Sequence, residues 1–174
     1  NCTFLNNNGS GLILWGAGSP TVANCSFEGN SAYEGDYEGG GISILATRSG
    51  SSSTPPLLPV ISNCTFINNS AGTGYGGGLY AYGESSDGSR LTLTDCTFEN
   101  NTAAVRGGGT YIRGWDMTMT NCSFTNNTGG GGGGGIYFIN TTNGYSFMDN
   151  CIVKNNTGVF GGGMGTFIWG GLDQ

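Results

Sequence analysis

Short runs that alternate apolar and polar residues recur along the whole chain, and none keeps a helical period. Leu91-Thr92-Leu93-Thr94 and Met117-Thr118-Met119-Thr120 alternate apolar with hydroxyl side chains, the two-residue period of a strand with one buried face. Ile42-Ser43-Ile44, Leu79-Tyr80-Ala81-Tyr82 and Ile136-Tyr137-Phe138 do the same, each directly after glycines. No segment sustains a 3.6-residue apolar period with capping residues. The expectation is an all-β chain of short strands.

The strands belong to a repeat. Asn121-Cys122-Ser123-Phe124-Thr125-Asn126-Asn127 precedes a glycine run and Ile136, and the same order returns at Asn63-Cys64-Thr65-Phe66 and Asp95-Cys96-Thr97-Phe98. Looser copies open at Asn1-Cys2, Asn24-Cys25 and Asn150-Cys151. Successive cysteines are 23, 39, 32, 26 and 29 residues apart, whereas the step from each later cysteine to the residue after its glycines stays between 13 and 17. Length variation therefore falls outside a constant core, in excursions at 46–59 and 83–90, as stacked repeats allow. Three short strands and three turns per unit make one coil of a parallel β-helix, with about 4.8 Å between coils. Six coils would give a rod on the order of 30 Å long. Residues 1–174 read as one such segment, a piece of a longer repeat protein or fibre.

Stacking turns repeated residues into columns. Asn7, Asn30, Asn69, Asn101 and Asn127 each stand three residues after a phenylalanine, and Asn156 stands three after Val153. Stacked asparagines can hydrogen-bond along the axis and satisfy the turn backbone. Phe4, Phe27, Phe66, Phe98 and Phe124 would stack inside, beside an inward column of Cys2, Cys25, Cys64, Cys96, Cys122 and Cys151. The glycines suit positive φ or close backbone approach.

The pairing of Phe-x-x-Asn with Gly-Gly-[Ala/Ile/Leu/Val] resembles the repeats of the chlamydial polymorphic outer membrane proteins. The first motif stands at Phe4–Asn7, Phe27–Asn30, Phe66–Asn69, Phe98–Asn101 and Phe124–Asn127. The second stands at Gly40-Gly41-Ile42, Gly77-Gly78-Leu79, Gly108-Gly109-Thr110, Gly134-Gly135-Ile136 and Gly162-Gly163-Met164. The resemblance implies a right-handed, single-stranded parallel β-helix exposed at a surface and often adhesive. The departures are a cysteine in every copy, Val153 in place of phenylalanine, and no triple glycine in the first unit.

Composition narrows the function classes. Net charge is −6 with five basic residues, too few to neutralise a nucleic-acid backbone. No apolar run reaches the roughly 18–20 residues of a membrane span. Histidine is absent, which removes the commonest general base and leaves no His ligand for zinc; the cysteines are not closely paired either. No metal or other cofactor is expected. The acidic stretch Glu34, Asp36 and Glu38 reads as solvated loop charge rather than a Ca²⁺ site.

Ten Asn-x-Ser/Thr sequons occur, at Asn1, Asn8, Asn24, Asn63, Asn68, Asn100, Asn121, Asn126, Asn140 and Asn155. In the Asn-Asn-Ser/Thr copies the second Asn is needed inward, so strand alternation turns the sequon Asn outward. The Asn-Cys-Ser/Thr sites are expected to be partly hidden by the neighbouring strand. The cysteines can form a packed thiol column, or disulfides such as Cys2–Cys25, Cys64–Cys96 and Cys122–Cys151, since coil spacing suits the Cα separation of a disulfide. Tyr80, Tyr111 and Tyr137 share one outward position and make either cross-coil packing or an aromatic strip for glycans or a partner protein.

Polysaccharide lyases and hydrolases share this fold class, but a glycosidase needs two carboxyl groups across the scissile bond. Asp95, Asp116 and Asp149 fall on different coils, and the basic residues form no cluster. The expected role is a non-enzymatic extracellular or cell-surface shaft or adhesin, N-glycosylated and either continued by the same solenoid or stacked end to end into a filament. The alternatives are a carbohydrate-binding module that uses the tyrosines, and a polysaccharide-active enzyme.

Overall fold

Each unit closes one circuit by passing through four sheets. A computed structural model describes residues 1–33, 39–46, 55–83, 88–140 and 146–168. The first sheet holds Thr3–Leu5, Ser26–Glu28, Thr65–Ile67, Thr97–Glu99, Ser123–Thr125 and Ile152–Lys154, side by side in that order. The second holds only two-residue strands, Ser31–Ala32, Ser70–Ala71, Thr102–Ala103, Thr128–Gly129 and Thr157–Gly158. The third runs Leu12–Gly16, Ile42–Ala46, Leu79–Tyr82, Thr110–Arg113, Ile136–Asn140 and Met164–Ile168. The fourth runs Thr21–Ala23, Val60–Ser62, Arg90–Thr94, Asp116–Thr120 and Ser146–Asp149.

Every pairing is parallel and joins a strand to its equivalent in the next coil, as in Phe27↔Phe66 and Phe66↔Phe98. This is the expected parallel β-helix, with two adjustments. It makes about five turns rather than six, because the second and fourth sheets have five strands each. It also has four strands per coil rather than three. The extra strand spans two residues, too short to show alternation in sequence.

Alternation decides what lies inside. In Arg90–Thr94 the side chains of Leu91 and Leu93 are buried, while Arg90 is exposed and the threonines between are half-buried. The core gathers Ile42, Leu79 and Ile136 from the third sheet, Ile61, Leu93 and Met119 from the fourth, and the phenylalanine column from the first. Neighbouring rings in that column stack at 4.4–4.9 Å between centroids, tilted by 3–5°. Burying each such ring is worth about 1.5–3 kcal/mol.

The triple glycines let the coils close up. Gly107 has φ +69°, and a Cβ there would lie 2.4 Å from the Thr110 carbonyl oxygen. A Cβ on Gly108 would lie 2.4–2.5 Å from the backbone of Thr128 in the next coil. Gly107 therefore makes the bend, and Gly108 permits the contact between coils.

Candidate functional site

Three longitudinal features carry the residues singled out above: an interior asparagine ladder with its thiol column, a set of outer corners, and a tyrosine row. The ladder runs Asn7, Asn30, Asn69, Asn101, Asn127, Asn156. Asn69 Nδ2 donates to Asn101 Oδ1 at 3.0 Å and to the Phe27 carbonyl at 2.9 Å. Asn101 Oδ1 also accepts the Asn69 backbone N–H at 2.9 Å. The pattern repeats at Asn30, Asn101 and Asn127. Each interior amide thus uses both hydrogens and accepts two bonds, so a polar column sits buried at no unmet cost.

Two residues before each phenylalanine of the column, and before Val153, lies a cysteine. All six are free thiols. Cys25, Cys64, Cys96 and Cys122 are buried, and Cys2 and Cys151 on the outermost rungs are more open. The register that pairs Thr3 with Ser26, Ser26 with Thr65, and so on to Ile152 places each cysteine beside the next. Cys25, Cys64, Cys96 and Cys122 each donate to the carbonyl two residues back, at 3.2–3.4 Å. Cys96 stands between Cys64 and Cys122 in the column. Its adjacent side chain holds Cys64 down to about 6 and lowers Cys122, while these two neighbours and burial push Cys96 up.

The outer corners are built from residues that tolerate left-handed backbone. One row is Asn6, Gly29, Asn68, Asn100, Asn126 and Asn155, and the other is Asn24, Asn63, Asp95, Asn121 and Asn150, with φ of 48–63° throughout. Asn and Asp adopt this conformation most readily among residues with a side chain. The sequon asparagines Asn68, Asn100, Asn126 and Asn155 are exposed because they turn a corner, not because a strand alternates. Asn24, Asn63 and Asn121, expected to be partly hidden, are exposed for the same reason. Asn1 and Asn8 are exposed too, while the Asn140 side chain lies outside the described residues. The second row links itself on the surface: Asn150 Nδ2 donates to Asn121 Oδ1 at 2.8 Å, and Asn121 Nδ2 to Asp95 Oδ1 at 2.9 Å. This surface ladder was missed in sequence; the signal was the recurrence of Asn or Asp before each cysteine.

The tyrosine row requires a correction. Tyr80, Tyr111 and Tyr137 do stand on the outer face of the third sheet, stacked at 5.4 and 5.8 Å between centroids. They are not an open strip, because their exposures are only 0, 3 and 8%. The segments between the second and third sheets fold back over them. Tyr75 packs on Tyr111 at 4.6 Å, Arg106 caps Tyr137 at 4.9 Å, and Gly132 and Gly133 lie against Tyr137. With Ile139, Leu45 and Tyr82 they make a second core outside the helix wall.

Burial pushes the Tyr111 hydroxyl up to about 12, partly offset by Arg113. The unfolded chain ionises this tyrosine near 10, so the fold keeps the stability of the neutral form below pH 10 and loses it as pH rises toward 12. Denaturation at pH 9 and pH 12 should differ by about 2 kcal/mol from this residue, and Tyr111→Phe should remove that part of the difference. An unchanged pH dependence in Tyr111→Phe would show that another group controls it.

Among the described residues, no three of Cys, Asp and Glu converge on one point to hold a metal ion. The acidic stretch at Glu34, Asp36 and Glu38 lies outside the described residues. Asp116 pairs with Arg90 at 3.5 Å across adjacent rungs, an exposed pair worth about 0–1 kcal/mol. No helix among the described residues is long and apolar enough to cross a membrane.

Parallel coils, an interior amide ladder and stacked rings define a parallel β-solenoid. More narrowly, the chain belongs to the right-handed beta helix region family, whose model matches residues 1–106 and 76–168. No curated protein and no solved structure matches it.

Proposed function

We propose that this chain is a structural or adhesive β-helix shaft, extracellular or at a cell surface, with N-linked glycans on its corners and no catalytic activity. One observation carries the reading. All nine described sequon asparagines are exposed, whereas none of the six ladder asparagines is a sequon. The four ladder asparagines that are buried, Asn30, Asn69, Asn101 and Asn127, all lack the sequon.

The remaining chemistry fits a passive shaft. Asp95 accepts the Asn121 amide and Asp116 pairs with Arg90, so both carboxylates have partners within the wall. Phe147, Ile152, Val159 and Phe160 are exposed toward the last rung. In this reading they are covered by a further coil, from the same solenoid or a second copy. Burial of the tyrosines leaves the carbohydrate-binding alternative without its strip.

Site-resolved glycopeptide mass spectrometry on natively produced protein tests the proposal. Glycans are expected at one or more of Asn68, Asn100, Asn126 and Asn155, and none at the ladder positions. Unmodified asparagine at all nine exposed sites would remove the glycosylated-shaft reading.

A further inference from the structure

We propose that the outer face of the fourth sheet binds ice, its paired hydroxyl rows taking up positions of a crystalline water lattice. The site goes beyond the shaft reading and does not depend on it. The threonines of Leu91-Thr92-Leu93-Thr94 and Met117-Thr118-Met119-Thr120 point away from the core, and nothing in the shaft uses them. Register extends them into two rows over four rungs. One row is Thr21, Val60, Thr92 and Thr118, and the other is Ala23, Ser62, Thr94 and Thr120. All eight residues are small or β-branched and uncharged, and six carry a hydroxyl. On the fifth rung Phe147 and Asp149 end the pattern.

Three features fit a lattice. The first is spacing: stacked phenylalanines put the rung repeat at 4.4–4.9 Å, and outward residues two apart along a strand are about 6.6–6.8 Å from each other. These lie near the two edge repeats of a prism face of hexagonal ice. The second is flatness. Paired strands ordinarily rotate by about 20–25°, whereas the ring planes of successive coils tilt by only 3–5°, so the rows stay straight. The third is free bonding capacity. Among the described residues, no hydrogen bond involves the side chains of Thr21, Ser62, Thr92, Thr94, Thr118 or Thr120, so each hydroxyl bonds to water. Single contacts of this kind are weak, but a rigid array makes them together without a further ordering cost.

The other outer faces lack this combination. On the first sheet Glu28, Glu99 and Lys154 put charges into one outward row, and Thr65 in the other donates to Ser26. The tyrosines of the third sheet are covered. At one edge of the proposed face Arg90 and Asp116 are spent on each other, at 3.5 Å. The sequon residues Asn63 and Asn121 flank the other edge, and a glycan on either would cover the array. Asn121 already donates its amide to Asp95.

The test is slow growth of an ice crystal from a solution of the full chain, with protein measured in the ice and in the remaining liquid. The gap between freezing and melting is read by osmometry on small droplets. The parent chain is expected to enter the ice, open that gap and leave crystals with prism facets. Thr94→Lys and Thr118→Lys should each stay in the liquid and abolish the gap. Thr125→Lys, on the outer face of the first sheet between Glu99 and Lys154, should match the parent. Circular dichroism checks that each variant is folded, and Thr21→Lys replaces either array variant that is not. Exclusion of the parent chain from ice overturns the proposal, as does an equal loss in Thr125→Lys or full activity in the array variants. So does a glycan on Asn63 or Asn121 in natively produced protein.

Discussion

Replacing Asn101 with alanine is expected to cost about 3–5 kcal/mol, since it orphans several buried polar groups at about 1–3 kcal/mol each. The Asn69 backbone N–H and one Asn69 Nδ2 hydrogen lose their acceptor, and the Phe66 carbonyl loses its donor. Water cannot easily replace the amide, because Asn69, Asn101 and Asn127 are at most 1% exposed. The half-buried rung at Asn156 is the internal comparison, and Asn156→Ala should cost clearly less. Urea denaturation measures both. A solenoid is stabilised by nearest-neighbour contacts between repeats, so the central variant should also broaden the transition or lower its slope as the two halves uncouple. A cost below about 1 kcal/mol for Asn101→Ala would mean that the ladder adds little beyond local packing.

The second large effect is expected at Gly108. Alanine there places its Cβ 2.4–2.5 Å from the backbone of Thr128, and backbone on the facing coil cannot rotate away as a side chain could. Relieving the overlap means separating two coils, so Gly108→Ala should destabilise by about 3 kcal/mol, at the upper end of overpacking costs. Thr102→Ala, whose side chain is exposed, should stay within about 0.5 kcal/mol of the parent. Thermal unfolding of both variants would measure the contrast. A near-neutral Gly108→Ala would show that the coils have slack at this contact, and the close approach of the glycine column would lose its explanation.

The two effects share a cause: in a stack of parallel coils, one residue type at one position meets its own copy. Periodicity in the chain therefore translates directly into contacts. The Asn7-to-Asn156 series, the five phenylalanines and the six cysteines could be read as columns because each sits at a constant offset within its repeat. Register then follows from any one pairing, such as Phe66↔Phe98. The outward direction of Asn68 and Asn100 was legible too, although its cause is a left-handed corner of φ 55° rather than strand alternation.

What lay between the columns was less legible. The two-residue strand at Thr102–Ala103 has no alternation to detect, so the fourth side of each coil and the reduced turn count came only from the sheet pairing. The tyrosine row is the clearest case. Alternation places Tyr80, Tyr111 and Tyr137 on the outer face, and nothing local says whether that face is open. The answer depends on the path of the segments before the triple glycines, which carry Tyr75 and Arg106 back over the rings. The sequence by itself thus determined the strand period, the stacking offset and the identity of each inward column, because these are local rules repeated by translation. Only the tertiary structure decided which outward residues meet water, because that depends on non-local burial by loops whose lengths differ from coil to coil.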